Sequence, residues 1–84
     1  MTDLSQFANH PIILIRECVT VGESVTSADI YYRIAPYITK PFKNAKNDIN
    51  ACLRNWSKYG VFRQDGKVPG PNPGNFYTLW TRLM

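Results

Sequence analysis

The sequence predicts an α+β domain, three helices followed by a small antiparallel sheet, and three observations carry that expectation. From Phe42 to Tyr59 the apolar residues recur at helical spacing, so Phe42, Ala45, Ile49, Cys52, Leu53 and Trp56 share one side of a helix at about 100° per residue. After Gly60 the period drops to two, and Val61–Gln64 and Phe76–Arg82 read as strands, the second rich in aromatic and β-branched residues. Pro11, Gly22, Pro36, Pro41 and Gly60 supply starts and stops at intervals that fit short elements.

Residues 1–9 carry weak signals, either frayed or a short turn. Pro11 suits a first helical position, where its missing N–H does no harm. Helix 1 is expected from about Pro11 to Val21, burying Ile12, Ile15 and Val19, with Leu14 and Cys18 as further candidates, and Gly22 as its terminator. The β-branched content of this segment also suits a strand. Val25 is the single apolar residue of a possible sheet bridge at 23–25. Thr26 or Ser27 then offers an N-cap, and Asp29 stands three after Thr26 in an approximate capping box. Helix 2 runs from about Ser27 to Ala35, burying Ile30, Ile34 and one of Tyr31 and Tyr37, and Pro36 stops it. A turn at 37–40 leads to Pro41 and to helix 3, about 41–59, capped by Gly60. Asp65-Gly66 is a turn signal, and Lys67 to Asn75 is a loop rich in Pro and Gly. Trp56 and Trp80 are expected in the core.

At 84 residues there is room for one domain, and a hydrophobic share of 44% with 19% charged residues favours a packed core over disorder. No apolar run approaches the ~20 residues that span a bilayer. The run Ile12–Ile15 has no basic residue before it, which argues against a secretory leader. Cys18 and Cys52 sit in apolar helical patterns without metal-ligand spacing and read as small core hydrophobes, at home in a reducing, cytoplasmic compartment.

The formal charge of +4 is unevenly placed. Lys40, Lys43, Lys46, Arg54, Lys58, Arg63 and Lys67 face only Asp48 and Asp65 in the stretch 40–67. Elsewhere Arg16, Arg33 and Arg82 are outnumbered by Asp3, Glu17, Glu23 and Asp29. On helix 3 the side opposite the apolar one carries Lys43, Asn47, Asn50, Arg54 and Lys58, with Asp48 pointing away. Long cations and amides are the side chains that donate to phosphates and base edges, so a polyanionic partner is expected. The alternative is a solvated face kept charged for solubility.

The segments Val25–Ile30 (VTSADI) and Ile49–Arg63 (INACLRNWSKYGVFR), with Asn75–Trp80 as a returning strand, resemble a winged helix-turn-helix domain over about three-quarters of the chain, by element order. Two prolines between helices 2 and 3, and a proline-rich wing tip, depart from the family pattern. The resemblance implies that helix 3 enters the major groove of duplex DNA while the hairpin at 61–82 touches backbone or minor groove. It assigns Asn47, Asn50 and Arg54 as candidate base readers and Lys43, Lys46, Lys58, Arg63 and Lys67 as candidate phosphate contacts. A small transcriptional regulator, nucleoid-associated if bacterial and of the kind mobile elements carry, is the implied role. A homodimer would have to use the N-terminal segment, helix 1 or the wing strands.

A second class of function is a winged-helix protein-docking module for an acidic protein partner, with the aromatic and Pro-rich wing as the contact and Tyr31-Tyr32 extending it. Tyr31, Tyr32, Tyr37 and Tyr59 interleave with cations and offer stacking surfaces, although core-edge packing explains such tyrosines equally. Catalysis finds no support. His10 has no Asp or Cys partner in sequence, Asp29 and Asp48 stand on separate helices, and there is no phosphate loop or nucleophile elbow. The expectation is a non-enzyme without metal or cofactor.

Overall fold

The computed structural model describes residues 4–7, 9–39, 41–71 and 73–84, with the Phe42 side chain also outside that set. Lys40 of the basic stretch, Asp3 of the acidic remainder and the expected burial of Phe42 therefore lie outside the described residues. The elements are α1 (Pro11–Glu17), β1 (Ser24–Val25), α2 (Ser27–Ile34), α3 (Phe42–Lys58), β2 (Phe62–Pro69) and β3 (Phe76–Arg82), with 3-10 turns at Leu4–Phe7 and Ala35–Tyr37. The strands form one antiparallel sheet in the order β1-β3-β2. This is a winged-helix layout, with the β2–β3 hairpin as the wing.

Local chemistry explains α2 and α3. Thr26 caps α2 by accepting from the Asp29 N–H, and the Asp29 carboxylate accepts from the Thr26 N–H, which completes a capping box. α2 ends at Ile34, and the chain tightens into a 3-10 turn through Pro36, with Ala35 still helical at φ −51 and ψ −39. At the far end of α3, Gly60 takes φ +74, its N–H donates to Ser57 O, and the Val61 N–H reaches back to Trp56 O. These are the two bonds of a Schellman motif, which needs a residue at ease with positive φ at the position of Gly60.

The core gathers Leu14, Ile15 and Val19 from the α1 segment, Ile30 and Ile34 from α2, Ala45, Ile49 and Leu53 from α3, and Val25, Phe62 and Trp80 from the sheet. Tyr31, Tyr37, Cys18, Cys52 and Trp56 pack against it half-buried. Trp56 is thus at the core's edge. Its indole N–H donates to Ile12 O at 3.3 Å and the Arg16 guanidinium lies 5.2 Å over its ring.

Four expectations are corrected. Helix 1 stops at Glu17 instead of Val21, and distant arginines take up carbonyls at and just beyond its end. Arg82 Nη1 donates to Arg16 O at 3.0 Å and Val19 O at 2.7 Å, and Arg33 Nη1 donates to Cys18 O at 2.9 Å. Gly22, at φ +88, serves the turn into β1 instead of ending the helix. Ile12 is 50% exposed, and Leu14 takes the buried position beside Ile15. Finally, Asp65-Gly66 is no turn. The pairing jumps from Gln64↔Trp80 to Lys67↔Thr78, so one extra residue sits in β2 as a bulge and the strand runs on to Pro69. Gly66, at φ +96, makes that bulge possible. The hairpin closes later, where the Gly70 N–H donates to Asn75 O at 2.8 Å.

Candidate nucleic-acid interface

The polar side of α3 divides into two ridges. Lys43, Asn47 and Lys58 are exposed and point away from the core. Lys46, Asn50 and Arg54 stand at i, i+4 and i+8, a single line along the helix that turns toward the wing. Lys46 and Asn50 are half-buried and Arg54 is exposed. Together with Gln64, Thr78 and Trp80 they border a polar cleft of about 270 Å³ between helix and hairpin. The Lys46 ammonium lies 5.0 Å over the Tyr77 ring, a cation–π contact that holds the helix against β3. Lys67 pairs with Thr78 across the hairpin, and cross-strand partners share a face, so Lys67 stands on the cleft side of the wing. All eight residues proposed from sequence thus lie on α3 or the wing. Lys46, Asn50 and Arg54 are brought together at the cleft, Lys67 at its margin, and Lys43, Asn47 and Lys58 on the outer ridge.

Arg63 is placed differently. Its Nε donates to Asp65 Oδ1 at 2.8 Å and its Nη2 to Asp65 Oδ2 at 3.1 Å. Asp65 also accepts from the Thr81 hydroxyl, which is 2.7 Å from Ser24 Oγ. The chain Ser24–Thr81–Asp65–Arg63 runs over the sheet face away from the core, and Asp65 is held below the usual carboxylate range by the Arg63 hydrogen bond first and the Thr81 bond second. Among the described residues, Lys43, Arg54, Lys58 and Lys67 pair with no carboxylate, so their charges stand free of internal compensation.

Sequence reasoning missed Gln64, Thr78, Tyr77 and Ser27 as parts of this region and put Trp80 in the core without a further role. The i, i+4, i+8 spacing of Lys46, Asn50 and Arg54 was the available signal. The spacing puts the three on one side of α3, but which of that side faces the wing is fixed by β3, far along the chain.

Other sites offer less. A cavity of about 530 Å³ on another flank is lined mainly by apolar side chains, among them Ile15, Ile34, Ile38 and Ile49. Burial raises the Cys18 thiol to about 12, and its Sγ–H donates to Ile15 O at 3.2 Å, so it behaves as a small apolar filler. Cys52 is also raised, by burial first and by Asp48 second. Among the described residues no group of three His, Cys, Asp or Glu is arranged for a metal, and no helix is long and apolar enough to cross a membrane. No family model, curated protein or solved structure matches the chain.

Proposed function

We propose that the protein binds duplex DNA through α3 and the wing, and that it acts as a small transcriptional regulator of winged helix-turn-helix type. The observation that carries this reading is the set of uncompensated donors on α3, Lys43, Asn47, Arg54 and Lys58, beside a hairpin that presents Lys67 on the same side. An exposed helix about 10–12 Å across with its side chains fits the major groove, and cations without internal partners release counterions when they meet phosphates. Asn47 is suited to an adenine edge, whereas Lys43 and Lys58, near the two ends of α3, suit phosphates. In this reading the compartment is the cytoplasm, where DNA and reduced thiols coexist.

The test is a titration of the whole chain with random-sequence duplex DNA at about 50 and 200 mM salt, a range over which several phosphate contacts change affinity steeply. Binding that falls strongly with salt supports the reading and justifies selecting for a preferred site. Absence of binding at low salt sinks it, and transfers the α3 surface to an acidic protein partner.

A further inference from the structure

Lys46, Asn50 and Arg54 need not act as part of the groove-reading face at all. Their ridge looks into the cleft, where Gln64, Thr78 and Trp80 face them from the wing and Ser27, the first residue of α2, borders the space. Two cations and two side-chain amides line it, and among the described lining residues there is no carboxylate.

Trp80 supplies an independent pointer. It is 2% exposed and borders the cleft, yet its buried indole N–H has no acceptor among the described residues. Buried donors are almost always paired, and one without a partner marks a place where an acceptor is missing. The other indole, of Trp56, is paired to Ile12 O on a different face. Donors from three elements therefore border one small space whose described lining carries no anionic group.

We propose that this cleft is a site for one phosphate group, held by Lys46 and Arg54 with Asn50, Gln64 and the Trp80 indole N–H as neutral donors. The volume admits a phosphate with room for water, and tetrahedral oxygens suit donors arriving from several directions. The phosphate is either a backbone phosphodiester of bound DNA, which rests on the DNA-binding reading, or a free phosphorylated ligand, which does not. In the first case α3 and the wing clamp one strand, and the outer ridge remains for the groove.

Two measurements separate the cases. Nitrogen-15 NMR of the whole chain, titrated with inorganic phosphate against chloride at constant ionic strength, follows the two indole N–H signals. The Trp80 signal is expected to move and the Trp56 signal to stay, and Lys46→Gln with Arg54→Gln is expected to abolish the movement. Salt dependence of duplex binding is measured for the same double variant. Because the slope counts phosphates and not cations, losing both side chains from one shared phosphate should lower it by about one, roughly a 3.5-fold smaller change between 50 and 200 mM. A drop of about two means two separate phosphates and overturns the shared site. A response to phosphate without any binding of DNA supports a free phosphorylated ligand and removes the DNA reading. DNA binding with an unchanged slope, together with a silent Trp80 signal, overturns the cleft site while leaving the DNA reading intact. Silence in both measurements overturns both.

Discussion

The arginines behind the fold and the cations of α3 carry the same charge and do opposite work. Arg33 and Arg82 are anchored. Arg33 meets Glu23 through two bonds of 2.7 and 2.6 Å and also reaches Cys18 O, and Arg82, 13% exposed at its side chain, serves two carbonyls and lies 3.8 Å from Glu17. Their donors are consumed by the protein. Lys43, Arg54 and Lys58 stand on α3, and among the described residues they meet no acid. The difference teaches that net charge is a poor guide to a binding surface. What matters is which cations remain after the chain has met its own needs, and among the described residues those lie on α3 and at Lys67.

Removing an anchored cation should therefore be a stability experiment, and removing a free one a binding experiment. Arg82→Ala removes the guanidinium bonds to Arg16 O and Val19 O, of which Arg16 O keeps the Val19 N–H. At about 1.5 kcal/mol for each bond from a charged group, the expected loss is about 3 kcal/mol in chemical denaturation. A loss below about 1 kcal/mol would mean that water replaces the guanidinium and that the anchoring is incidental. Lys43→Ala with Lys58→Ala is the counterpart. Both side chains are exposed, so stability should hold within about 0.5 kcal/mol. The salt slope of DNA binding should fall by about two if each meets its own phosphate. Equal damage to stability in the two variants would erase the distinction.

The same comparison shows what was legible in the sequence. Both faces of α3, its Gly60 cap and the Thr26–Asp29 box could be read, because each rests on residues within one or two turns of one another. The end of α1 was not, since Arg33 and Arg82, which take up carbonyls at and just beyond it, are remote in sequence. Asp65-Gly66 has the same local signature in a turn and in a bulge, and only the register against Thr78 and Trp80 tells them apart. On the candidate site, the sequence grouped Lys43, Asn47, Asn50, Arg54 and Lys58 on one face of α3, but it did not show that Asn50 and Arg54 also border a cleft, and it treated Arg63 as free. The cleft and the Asp65 pairing both depend on the hairpin's register, which no helical periodicity contains.

Acid should weaken the anchored side selectively. The Arg33 hydrogen bond, followed by the Thr20 N–H, holds Glu23 at about 2, below its ordinary 4.5. A depressed folded-state pKa means that its contribution is fully present above pH 4.5 and is lost as the pH falls through about 2. The stability difference between the native chain and Glu23→Gln should accordingly shrink across that window, followed by denaturant titration at successive pH values. A constant difference would show that the pair acts through packing and not through charge.

Arg63 stands between the two classes and gives the finest test. It is exposed on the wing, as a phosphate contact should be, but Asp65 takes two of its donors. Asp65→Asn keeps an oxygen able to accept from the Thr81 hydroxyl while removing the charge that holds the guanidinium. If the wing lies along the DNA backbone, the freed Arg63 should gain one phosphate and steepen the salt slope by about one. Adding Arg63→Gln to Asp65→Asn should return the slope to its starting value, which separates a new contact from a general rise in net charge. A slope that does not move with Asp65→Asn removes Arg63 from the interface, and restricts the wing's contribution to Lys67 and the cleft side of the hairpin.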